Sequence, residues 1–84
     1  MYNERTVKLI ESIKNEVDKP ENKMRHVQAL TIIVKTLDGE RHLAIKFVSI
    51  DTDKQRDKVK ALAAKYCESL QLFKESKTTM TYLI

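Results

Sequence analysis

One glycine, one proline, one cysteine and no tryptophan are all that 84 residues hold of these four types, and each scarcity removes a class of function. A lone glycine, Gly39, leaves none for a glycine-rich phosphate cradle, which needs several for close backbone approach. It also leaves none for the sharp turn inside a calcium-binding loop. A lone thiol, Cys67, cannot close an internal disulfide or build a cysteine metal cluster. Cys67 falls on the flank of a helical pattern, roughly 80° from the middle of its apolar stripe by helix geometry. It lies in the C-terminal half of that pattern, where the helix dipole disfavours the thiolate a nucleophile needs. The serines Ser12, Ser49, Ser69 and Ser76 stand in no nucleophile-elbow setting. Long apolar runs are missing too: none approaches the roughly 20 residues that cross a bilayer. The opening residues, MYNERTVKLIESIK, are charged from Glu4 onward and do not read as a secretory leader. The expectation is a non-enzymatic, cytoplasmic protein with no membrane partner and no cofactor.

Repeats, low-complexity tracts and long charge blocks are also absent, so residues 1–84 read as one domain rather than a disordered tail. A core this small barely outweighs the entropy lost on folding. Sixteen Lys and Arg against 12 Asp and Glu give a net charge of +4. That favours weak attraction to polyanions, but the two signs alternate closely along the chain, and a dedicated nucleic-acid binder concentrates its positive charge on one face.

What is present is hydrophobic periodicity. Val7, Ile10, Ile13 and Val17 recur at helical spacing, with Asn3 suited to cap the first turn and Pro20 to end the segment near Lys19. Two runs of alternating apolar residues then flank Asp38-Gly39, a dipeptide that suits a two-residue hairpin turn. Counting outward from such a turn sets Leu37 opposite Glu40, Val34 opposite Leu43, Ile32 opposite Ile45 and Leu30 opposite Phe47, all on one face. The other face would carry Lys35, His42, Thr31 and Lys46, and toward the open end Val27, Ala29, Ile33, Ala44, Val48 and Ile50.

The segment DTDKQRDK opens a second helix, with Thr52 and Gln55 spaced as a capping box. Val59, Leu62, Ala63, Tyr66 and Leu70 form its core stripe. LQLF either extends that helix or begins an extended segment, KESK reads as a surface connection, and TTMTYLI is rich in β-formers. The order predicted is helix-strand-strand-helix-strand: a small α+β domain whose antiparallel hairpin packs on two helices. A right-handed crossover would lay the last strand beside the first, making the first strand central.

Three groups of residues bear on function. The two histidines, His26 and His42, fall on opposite faces of the hairpin with no carboxylate or thiol at ligand spacing, so no metal site is expected. Lys54, Lys58 and Lys65, with Arg56 at the margin, project from the second helix and could meet phosphates, although Asp57 and Glu68 flank them and no aromatic stands by to stack a base. The apolar patch of Val27, Ala29, Ile33, Ala44, Val48 and Ile50 lies on a face that should be wet, so either the chain's own segments cover it or it marks an interaction site. A protein-binding adaptor, regulator or inhibitor follows, with a protein partner or a second copy of the chain (a homodimer) on that patch or on a free sheet edge. The alternative is a nucleic-acid-binding module using the lysine row.

Overall fold

A computed structural model of the chain describes residues 4–24, 26–66 and 71–84. It contains α1 (Glu4–Asp18), a 3-10 turn (Pro20–Asn22), β1 (Gln28–Lys35), β2 (Arg41–Val48), α2 (Asp53–Tyr66), β3 (Gln71–Glu75) and β4 (Met80–Leu83). The four strands form one antiparallel sheet, and both helices pack on the same side of it. The small α+β class and the hairpin at Asp38-Gly39 follow the sequence. The expectations for Asn3, Cys67, Glu68, Ser69 and Leu70 lie outside the described residues.

In α1 the buried seam is Leu9, Ile13 and Val17, spaced by four, while Val7 is 43 % exposed. Lys19, next to Pro20, is extended at φ −67° and ψ 125°, as the clash with a proline ring requires. In α2 the expected stripe holds: Val59, Leu62 and Ala63 are buried and Tyr66 packs beside them. Its start is capped as the sequence indicates, with the Gln55 N–H donating to Thr52 Oγ1 at 3.1 Å and the Gln55 side chain accepting from the Asp51 N–H at 2.8 Å.

The hairpin differs from expectation by one residue. The Gly39 N–H donates to the Thr36 carbonyl at 2.9 Å, and the Thr36 N–H donates to the Glu40 carbonyl at 3.0 Å. Gly39 is left-handed at φ +84°, whereas Asp38 is not. This is a three-residue loop, a tight turn followed by one left-handed residue, rather than the two-residue turn that needs positive φ at both centres. Asp38 favours it: its carboxylate accepts from the Thr36 hydroxyl and, at 3.0 Å, from the Glu40 N–H, filling the loop from within.

That extra residue turns β1 over. Ala29 stands opposite Phe47, Thr31 opposite Ile45 and Ile33 opposite Leu43, and these share the helix-covered face. Leu30, Ile32 and Val34, expected in the core, stand opposite Lys46, Ala44 and His42 on the other face. A one-residue slip reverses every side chain of a strand.

The strand order is β1-β2-β4-β3, so β1 is an edge rather than the centre. β4 enters between β2 and β3, pairing Ile45 with Tyr82 and Phe47 with Met80. The Phe47 and Tyr82 rings meet edge to face with centroids 6.1 Å apart, an arrangement aromatic quadrupoles favour. The core is thus Ile13, Val17, Met24 and Val27 from the first helical segment and its exit, Ile45, Phe47 and Ile50 around β2, Val59, Leu62 and Ala63 from α2, and Met80 and Tyr82 from β4. β3 takes the second of the two readings of LQLF, an extended segment, runs on into KESK, which the sequence reads as a surface connection, and carries a bulge between Leu72 and Lys74.

Candidate interaction surface

The sheet has one covered face and one bare one. Parity of the ladder places Leu30, Ile32 and Val34 of β1, Ala44, Lys46 and Val48 of β2, and Thr81 and Leu83 of β4 on the bare side. No described element packs on it. Leu30 is 42 % exposed, and Ile32, Val34, Val48 and Leu83 are half-buried by their neighbours alone. Ala44 and Thr81 are small enough to be closed over by that surround, at 0 % and 4 % exposed. The cations here are Lys46 in the middle and Lys74, opposite Thr81. Within the strands this face carries no carboxylate. The result is an apolar platform with a positive centre.

The expected apolar patch is therefore divided. Val27 and Ile50 are core residues at 4 % and 2 % exposed, and Ala29 packs against the core. Ile33, 52 % exposed, is on the helix side beyond the reach of the packing. Of that set, Ala44 and Val48 belong to the bare face, where Leu30, Ile32, Val34 and Leu83 replace the others. The idea of an uncovered apolar back survives with different members, because the register was one residue out.

The two edges of the sheet contrast. Since the Thr36 N–H bonds to Glu40, hydrogen-bonded pairs alternate from there, and Val34, Ile32, Leu30 and Gln28 point their backbone groups inward to β2. The N–H and C=O groups of Ala29, Thr31, Ile33 and Lys35 point outward, and none of them bonds to another described residue. β1 is eight residues long, with no proline, no bulge and one charge, at its end. The opposite edge, β3, is five residues long, bulged, and charged at Lys74 and Glu75. Short, bulged and charged edges resist pairing; long, flat, apolar ones invite it. Alongside the start of β1 run two shallow clefts. One, of about 550 Å³, is lined by Val17, Asp18, Lys19, Pro20, Lys23, Met24 and Val27. The other, of about 210 Å³, lies between Lys14, Val17 and Asp18 of α1 and Gln28, Ala29 and Leu30 of β1.

The lysine row is depleted. Arg56 donates to the carbonyls of Ser76 and Lys77 at 2.9 and 2.5 Å and pairs with Glu75 at 3.0 Å, so it fastens the β3–β4 turn to α2. Lys65 lies 3.8 Å from Glu16 and 5.3 Å from the centre of the Tyr66 ring. Lys54 is exposed and Lys58 half-buried. Glu16 is the hub that joins the helices. It accepts from Lys19 at 2.8 Å, from the Tyr66 hydroxyl at 3.0 Å and from Asn22 at 3.2 Å. The hydrogen bond from Lys19, then those from Asn22 and Tyr66, hold its carboxyl far below the usual range, at about 2.

His42 does have acidic neighbours, contrary to the sequence reading. Asp38, Glu40 and His42 bring one ligating atom each within 4.8 Å of one another at the hairpin tip. The three-residue loop folds Asp38 back over the strand end, which a two-residue turn does not do. The Asp38 carboxylate is already engaged by Thr36 and the Glu40 N–H, which hold its pKa down, the hydroxyl first. His26 is exposed outside the strands.

No protein-family model, curated protein or solved structure matches this chain.

Proposed function

We propose that this protein is a non-enzymatic, cytoplasmic binding module, an adaptor or regulator, that docks a protein partner on the bare face of its sheet. The observation that carries the reading is the apolar platform of Leu30, Ile32, Val34, Val48 and Leu83 around Lys46, with no described element over it. A platform whose charges are Lys46 and Lys74 matches an apolar surface that presents carboxylates opposite them. It does not match itself face to face, because two copies would bring like charges together.

The test compares the wild-type chain, Ile32→Glu and Lys58→Glu as immobilised baits in lysate with and without nuclease. Ile32→Glu places a charge at the centre of the platform and leaves the covered core untouched. The reading expects the same partner bands on wild type and Lys58→Glu, and their loss on Ile32→Glu. Equal capture by all three overturns it. So does material that disappears with nuclease and with Lys58→Glu, which would assign the function to the lysines of α2.

A further inference from the structure

The geometry points to a second copy of this chain as the occupant of the β1 edge. Two β1 strands would pair antiparallel about a two-fold axis through Ile32, joining two four-stranded sheets into one of eight strands. This inference concerns the edge, and it stands whatever docks on the bare face.

The register follows from the backbone. The outward groups belong to Ala29, Thr31, Ile33 and Lys35, so a partner strand must set odd residues opposite odd ones. Centring the pair on Ile32 places Ala29 opposite Lys35 and Thr31 opposite Ile33, in both directions. Every outward donor and acceptor between Ala29 and Lys35 then finds a mate. Centring on Thr31 or Ile33 strands groups at one end or the other.

Side chains agree with that register. On the bare face Leu30 would stand opposite Val34 and Ile32 opposite itself, so aliphatic pairs run across the axis. On the helix face, Lys35 of one copy would arrive beside Ala29 of the other. The small cleft there is lined by Asp18 and Lys14 of α1. Asp18 is exposed and makes no ion pair among the described residues. A lysine reaching it gains a carboxylate, twice by symmetry, with Lys14 alongside as the opposing charge. No two charges of like sign stand directly opposite within the pair. The platform of each copy would also continue into the other, doubling its apolar area.

Analytical ultracentrifugation of the full chain across a wide concentration range tests this. The wild type is expected as a dimer. Thr31→Pro removes an outward N–H and leaves the ladder to β2 whole, as proline permits on an edge strand, so this variant is expected as a monomer with an unchanged circular-dichroism spectrum. Independently of proline, Asp18→Lys should weaken the dimer about tenfold, and adding Lys35→Asp to it should restore most of the loss, since the pair is then reversed rather than broken. A wild type that is monomeric at every concentration overturns the proposal, as does a dimer indifferent to Thr31→Pro or a double variant no better than Asp18→Lys. Because Ile32 would lie on the two-fold axis, Thr31→Pro is also used as bait in lysate: it leaves the bare face intact, so its capture of the same bands as wild type keeps the two readings apart.

Discussion

Gly39 is the residue on which the register turns. At φ +84° it occupies a conformation in which a Cβ crowds the following carbonyl, yet an added Cβ would meet nothing within 4 Å. Gly39→Ala should therefore lower stability through backbone strain alone, by about 1 kcal/mol, with Gly39→Asn recovering part of it; urea denaturation measures both. Glu16 supplies a second residue-scale expectation. Its carboxyl falls from 4.5 to about 2 on folding, so the folded state holds the proton less tightly than the unfolded chain. The stabilisation is complete above the unfolded value and is lost as pH falls from about 4.5 through 2. Glu16→Gln should be less stable than wild type at neutral pH, and the gap should close across that acid window. Denaturation midpoints taken at pH 7, 4 and 2 report it; a gap of constant size would assign the effect to packing. Asp-Gly announced a turn in the sequence, and Thr36 stood beside it. What the letters did not disclose is that Asp38 keeps negative φ and closes the loop with its own carboxylate, a choice between two turns of similar local energy.

At the scale of the elements, the helices were legible because their apolar residues repeat on one side only. β1 was not, because it is apolar on both: Ala29 and Ile33 on one face, Leu30, Ile32 and Val34 on the other. Hydrophobic alternation pins register when one face is polar, and here either register buries a plausible set. The bulkier triplet looked like the core and is the platform. β3 is legible only as one of two options, since Phe73 continues the helical spacing of Leu62 and Tyr66 as well as it opens a strand. A paired substitution checks the register directly. Ala29→Asp drives a charge against the core and should destabilise by about 3 kcal/mol. Leu30→Asp, one residue on, points to the bare face and should stay within about 1 kcal/mol of wild type. Thermal melts of the two variants in parallel decide it, and the reverse ranking would restore the two-residue turn.

For the whole molecule, the bare face and the β1 edge are one phenomenon seen from two directions. Two helices suffice to cover one side of four strands, and the described residues supply no third helix for the other. Under the reading proposed above, the apolar composition of that face is what suits it to contact. Sequence reasoning reached an apolar back of the hairpin by counting outward from the turn; its members change with the register.

The strand order has a bearing on synthesis. β4, last of the strands, lies between β2 and β3 and supplies Met80 and Tyr82 to the core. Until residue 83 has cleared the ribosomal exit tunnel, β2 lacks its inner neighbour and β3 has nothing to pair with. Folding on the ribosome is then all but forbidden until β4 emerges, since the contacts that close the sheet are the last of this fold to be made. Nascent chains arrested with residue 79 just outside the tunnel should be cut by protease throughout, and those arrested with residue 84 and a short spacer outside should resist. During that interval the hairpin of β1 and β2, apolar on both faces, lacks the strand that completes its sheet, which makes the newborn chain a natural client for a chaperone that holds extended, aliphatic segments.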